Sequence, residues 1–190
     1  MKSKIRCLIA GLLVAGVLTF PALAASAFPD VDENADYAEA IEFLSGIGIM
    51  QGDENGNFNP DSSVSRAEMA TIICRMLGET EGLTTSNTFT DVSASYWANK
   101  YITKAALLDI MEGYGDGNFG PSDDITYEQA LTIIIRATNL EKQALESGGY
   151  PEGHISIAHV YGYTANVSAQ RGDYLTREQI AMLLFNVLSI

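Results

Sequence analysis

Three stretches of the chain share a polar start followed by an apolar stripe. Ser65-Arg66-Ala67-Glu68, Thr126-Tyr127-Glu128-Gln129 and Thr176-Arg177-Glu178-Gln179 each set a Ser or Thr three residues before a Glu or Gln. That is the capping-box signature of a helix N-terminus. Behind the first box come Met69, Ile72, Ile73 and Leu77. Behind the second come Ala130, Ile133, Ile134 and Thr138, and behind the third Ile180, Leu183, Leu184 and Leu188. The spacing predicts three amphipathic helices. Upstream of the first box, Tyr37, Ile41, Leu44 and Ile47 mark another apolar face at helical spacing, closed by Gly46, Gly48 and Gly52. Residues 52–60 between the two are dense in turn formers and read as a loop, with Phe58 as the apolar plug that pins it to the core.

This helix–loop–helix unit is copied. Phe28, Asp30, Val31, Ile41, Gly52, Gly56, Phe58, Pro60 and Arg75 recur as Phe89, Asp91, Val92, Ile102, Gly113, Gly117, Phe119, Pro121 and Arg136, each 61 positions later. A constant offset without gaps marks an internal repeat. The third unit is degenerate. Ile102 and Ala105 correspond to Ile155 and Ala158 at an offset of 53, whereas Tyr127 corresponds to Arg177 at an offset of 50. Three residues are therefore missing between its helices, and the glycine-rich loop chemistry of residues 113–121 is absent. Residues 80–88 and 141–149 read as linkers. Units of about 40–60 residues are near the lower limit for independent folding, so three units are expected to share one core. The expected fold is mainly α: three helix–loop–helix repeats in a pseudo-threefold module. The three capped helices form the central bundle, with the first helices and loops radiating outward. The boundaries are 28–79, 89–140 and 148–190, with 28–190 one folded unit.

Lys2, Lys4 and Arg6 precede an apolar run from Cys7 to Phe20, and small residues follow at Ala22-Leu23-Ala24 and Ala25-Ser26-Ala27. Residues 1–27 read as a secretory signal peptide cleaved after Ala24 or Ala27. Its removal takes three of the 11 basic residues and none of the 24 acidic ones, which deepens the net charge from −13 to −16. So acidic a chain argues against nucleic acid and anionic membrane surfaces as general partners. Of the two cysteines only Cys74 survives cleavage, so no internal disulfide forms and stability rests on a packed core. Ile135 holds the equivalent position, and Cys74 is expected to be a small buried apolar residue.

Candidate chemistry is sparse. Counting from Asp53 as position 1 of a calcium loop puts Phe58 where Gly is needed and Val64 where Glu is needed. His154 and His159 lack clustered acid or Cys partners at metal spacing and are expected on the surface or partly buried in the third unit's first helix. No nucleophile-elbow, Cys–His or phosphate-loop pattern is present, and Asp30 and Asp91 recur as turn or capping residues would. Neither a cofactor, a metal nor an enzymatic activity is expected.

Phe28, Asp30 and Val31, their copies Phe89, Asp91 and Val92, the Tyr96-Trp97-Ala98 triplet, Gly115-Asp116-Gly117-Asn118-Phe119-Gly120-Pro121 and the three boxes together resemble S-layer homology domains over residues 28–190. The resemblance implies non-covalent attachment to the bacterial cell surface. The ligand it implies is a secondary cell wall polysaccharide, often pyruvylated, bound in grooves between repeats with the box arginine as a main contact. The implied location is secreted and wall-associated. The candidate binding residues are Arg66, Arg177, Trp97, Ser65, Thr126, Thr176, Gly52 and Gly113. An alternative is a structural module that contacts other surface-layer proteins. The residues support a role for Arg66 and Arg177, because each is a cation at the first position of a helix, against the macrodipole. A guanidinium beside free N–H groups is a carboxylate site. Tyr127 stands where the second unit needs its Arg, so one groove lacks its cation. Asp36 and Tyr150 occupy the Trp97 position in the other units. One or two competent grooves are expected.

Overall fold

A computed structural model describes residues 28–189, and the signal peptide expected over residues 1–27 lies outside them. The described residues form seven helices: α1 (Ala38–Gly46), α2 (Arg66–Met76), α3 (Asn99–Leu107), α4 (Tyr127–Ala137), α5 (Glu141–Glu146), α6 (Glu152–Val160) and α7 (Arg177–Leu188). The three boxes behave as read. Ser65, Thr126 and Thr176 accept from the N–H three residues on, and the Glu68, Gln129 and Gln179 side chains accept from the cap N–H. α1 and α2 recur 61 positions later as α3 and α4. α6 follows α3 by 53 and α7 follows α4 by 50, which places the three-residue loss between α6 and α7.

A ring of backbone hydrogen bonds ties the three copies together. Val64 donates to Leu175 O (3.1 Å), Leu175 to Ile125 O (3.0 Å) and Ile125 to Val64 O (2.8 Å). All three side chains are fully buried. Each residue lies just before a capped helix, so the starts of α2, α4 and α7 converge on one pseudo-threefold axis. Away from this axis each capped helix takes a first helix as its main neighbour. α2 touches α4, but its main neighbour is α3, while α4 lies on α6 and α7 on α1. The first helices flank the capped ones. Each buries its apolar stripe (Ile41 and Leu44 in α1, Ile102 and Ala105 in α3, Ile157 and Ala158 in α6) against the capped helix of the preceding copy. The α1–α7 pair closes the circle. An amphipathic helix of nine residues needs such a partner to persist.

Local expectations divide. Phe58 and Phe119 are fully buried plugs, each contributing about 2–3 kcal/mol of transfer free energy. Cys74 is fully buried, and burial pushes its thiol up to about 11, which makes it an inert core residue. Ile47 is exposed and lies past the end of α1 rather than on its buried face. Residues 141–149 are not simply a linker, since α5 occupies most of them. Ala144 on α5 is fully buried at the position of Asp91 (offset 53), so α5 replaces the Phe-x-Asp-Val entry of the other copies. His154 is 1% exposed, not superficial. It faces α5, with Nε2 2.8 Å from Glu141 Oε2.

Candidate functional site

The recurring loops are built from the inside. Asp30 accepts from the N–H groups of Phe58 (2.8 Å) and Asn59 (2.6 Å), and Asp91 from those of Phe119 (2.8 Å) and Gly120 (2.7 Å). These are strong charge-assisted bonds, and they give the recurrent aspartates a loop-holding role. Phe28 packs on Phe58 and Phe89 on Phe119, with ring centroids 5.3 and 5.2 Å apart. A side chain at Gly52 would run into the Phe28 ring and Asn57 O, and one at Gly113 into Phe89 and Asn118 O. Both glycines are thus demanded by the close approach of the loop to its own phenylalanine.

Each loop receives an arginine from the preceding copy around the ring. Arg66, at the start of α2, reaches into the second loop and donates through Nε to Phe119 O (2.9 Å) and through Nη2 to Glu112 O (2.7 Å). Arg177, at the start of α7, reaches into the first loop and donates to Phe58 O and Gln51 O, both at 2.7 Å. These carbonyls are the further partners that a cation at a helix start called for. Burial lowers the pKa of both guanidinium groups, opposed for Arg66 by Tyr114, Asp123 and Asp91 and for Arg177 by Glu68, Asp30 and Asp53.

The helix ends themselves are not open to a ligand. The Arg66 and Ala67 N–H groups donate to Asp123 O and Pro121 O, and those of Arg177 and Glu178 to Ser62 O and Pro60 O. The next N–H in each case is taken by the Ser65 or Thr176 hydroxyl. The expected pairing of free helix N–H groups with a guanidinium is therefore absent at both starts, because the neighbouring loop consumes those donors.

Tyr127 completes the pattern. It points toward the third copy, where no glycine-rich loop offers carbonyls. It is 3% exposed, and its hydroxyl sits 3.1 Å from His159 Nε2. The missing arginine of the second copy thus faces the missing residues of the third.

Two grooves result. The first, about 370 Å³, is lined by Gly52, Asp53, Glu68, Arg75, Trp97 and Arg177 among others. Here Arg177 stacks on a single ring, Phe58, at 4.6 Å. Trp97, from the turn before α3, is 55% exposed. The structure thus brings Arg177, Trp97 and Gly52 together. The second groove, about 330 Å³, is lined by Tyr114, Asp123, Asp124, Thr126, Gln129 and Tyr174. Tyr114 replaces Asp53 at the 61 offset. It covers Arg66 at 4.8 Å, opposite Phe119 at 4.6 Å, and is fixed by a 2.8 Å hydrogen bond to Asp123. Arg66 is left 5% exposed. Ser65 and Thr176 appear in neither lining. Arg75 was not singled out from the sequence as a groove residue. The signal was available in the different neighbours that the repeat gives Arg75 and Arg136.

Among the described residues no cluster of three His, Cys, Asp or Glu could hold a metal ion, and no helix is long and apolar enough to cross a membrane.

The S-layer homology domain family matches residues 27–70 and 88–131. Across its whole length the chain is 29% identical to the middle cell wall protein of Brevibacillus brevis, spanning 18% of that protein. It is 37% identical over 68% of its length to the surface-layer 125 kDa protein of Lysinibacillus sphaericus, spanning 11% of it. It is 27% identical over 81% of its length to the cellulosome-anchoring protein of Acetivibrio thermocellus, spanning 37% of it. The chain thus covers well under half of each relative. The first two copies of the helix–loop–helix unit, over residues 27–70 and 88–131, are S-layer homology domains.

Proposed function

We propose that this chain is a cell-surface anchoring module that holds an anionic cell wall polysaccharide, secreted and retained at the wall, with residues 148–190 as a third, degenerate S-layer homology repeat of one folded unit. The observation that carries the reading is the first groove. It sets a partly exposed guanidinium (Arg177) in one concave surface with an exposed indole (Trp97). An indole face suits a sugar ring and a guanidinium suits a carboxylate, such as a pyruvate ketal provides. The relatives support the setting, since one is named for anchoring cellulosomes and another for a surface layer. In this reading Gly52 brings the loop backbone close to the ligand. Arg66, Ser65, Thr126, Thr176 and Gly113 contribute through the loops and helix starts that they hold. With a net charge of −13, attraction to an anionic polymer depends on contacts inside the groove rather than on long-range steering.

A second reading, contact with other surface-layer proteins, is favoured by Leu107 and Val160, both more than 70% exposed at equivalent positions (offset 53) on α3 and α6. Co-sedimentation with purified cell walls separates the two. The polysaccharide reading expects the protein to pellet with intact walls and to stay in the supernatant once the secondary polymer is stripped. Undiminished pelleting with stripped walls would sink it.

A further inference from the structure

The position of Arg75 occurs three times around the ring, and its three occupants differ in what they bind. Arg136, its copy at offset 61, is bracketed by acids, with Nη1 3.7 Å from Glu112 and Nε 3.4 Å from Glu141. Asn186, the counterpart in the third copy (136 to 186, offset 50), donates to the Tyr163 and Ala165 carbonyls at 3.0 and 2.8 Å. Arg75 has neither arrangement. The positions equivalent to Glu112 and Glu141 are Gln51 and Thr80, so both acids are gone. Among the described residues no carboxylate lies within ion-pair distance of Arg75.

The acids nearby are committed elsewhere. Glu79 is paired to Lys104 at 2.7 Å. Glu68 accepts from the Ser65 N–H and hydroxyl. Asp53 accepts from the Asn55 and Asn57 N–H groups and from the Asn59 amide. Of the five described arginines, Arg66 and Arg177 also lack a carboxylate within ion-pair distance but each donates to two backbone carbonyls, whereas the Arg75 side chain has neither kind of partner among the described residues. This one is half-buried and lines the same groove as Arg177 and Trp97.

We propose that Arg75 is a second anion contact of the first groove, so that the groove takes a glycan segment carrying negative charge at two positions, one at Arg177 and one at Arg75. The second groove cannot do this, because Arg136 is already neutralised and Arg66 is covered. The inference rests on the polysaccharide reading of the first groove. It goes beyond that reading by making the ligand at least dianionic and by confining anion recognition to one groove.

The test uses the purified protein and the wall polysaccharide released when walls are stripped, either with its carboxyl groups intact or with them amidated by carbodiimide coupling. Arg75→Gln is expected to weaken binding of the intact polymer about tenfold or more, the range for losing a charge-assisted hydrogen bond. It is expected to leave the thermal midpoint unchanged, since among the described residues the Arg75 side chain has no hydrogen bond or ion pair to lose. On the amidated polymer Arg75→Gln and the parent are expected to bind equally. Arg136→Gln is expected to do the reverse, lowering the midpoint and sparing binding. Wild-type affinity of Arg75→Gln for the intact polymer would overturn the proposal. Trp97→Ala shows which claim has failed. If it weakens binding while Arg75→Gln does not, only this inference falls. If both variants bind as the parent does, the groove reading falls as well.

Discussion

Arg66→Ala unfolds the module more readily than any change at an exposed position, lowering stability by about 3 kcal/mol or more. The side chain is 5% exposed and lies between the Tyr114 and Phe119 rings. Its Nε and Nη2 donate to two carbonyls of the next copy's loop. Truncation strands both carbonyls, removes two charge-assisted bonds and leaves a hole between two rings. For a domain of this size the thermal midpoint falls by roughly 6–12 °C. Lysine does not rescue it, because a single ammonium cannot reproduce the fork that spans Phe119 O and Glu112 O. A melt followed by far-UV circular dichroism checks the prediction. A midpoint unchanged by Arg66→Ala would mean that the arginine is not the strut of the second loop. It follows that alanine at Arg66 or Arg177 cannot by itself report on ligand binding, since a drop in binding would mix lost contacts with a loosened loop.

The second large effect is expected from Tyr127→Arg, which restores the residue found at both equivalent positions. Restoring the repeat pattern would ordinarily be taken as neutral. Here it is expected to destabilise by about 3 kcal/mol or more, because the charge enters a nearly closed site without partners. The third copy lacks the loop whose carbonyls receive Arg66 and Arg177, and the neighbour of Tyr127 is His159. A denaturant titration with midpoint and slope resolved decides it. Stability equal to the parent's would mean that the third copy can accept an arginine after all. The loss of the loop and the change at position 127 would then be independent.

What could be read from the chain was whatever depends on near neighbours. Capping boxes, the plug residues Phe58 and Phe119, the turn-rich loops and the missing three residues of the third copy are all written within a few positions. The repeat offset then aligned them. What escaped was how the copies are wired to one another. Arg66 meets Glu112 and Phe119, 46 and 53 residues away, and no local pattern says that a helix start is answered by the next copy's loop. For the same reason the N–H groups at the starts of α2 and α7 looked available when the neighbouring loops had already taken them. The pairing of α1 with α7 is likewise a property of ring closure.

Two misses were more nearly legible. Glu141-Lys142-Gln143-Ala144-Leu145-Glu146 is a run of good helix formers and was open to reading as α5. His154 shares a helix face with Ile157 and Ala158, both buried, which argued for burial. Arg75 is a third kind of case. The repeat itself exposes it, since the acids at 112 and 141 that neutralise Arg136 are Gln and Thr at 51 and 80. A repeat shows function best where one copy keeps a charge and drops its partners.

Trp97 is the chain's single tryptophan and it lines the first groove, so its emission reports on that groove alone. Titrating the protein with released wall polysaccharide should shift the emission to shorter wavelength in a saturable way, with the amidated polymer much less effective. Emission that stays constant while the protein still pellets with intact walls would place the binding surface elsewhere and contradict the assignment of the first groove.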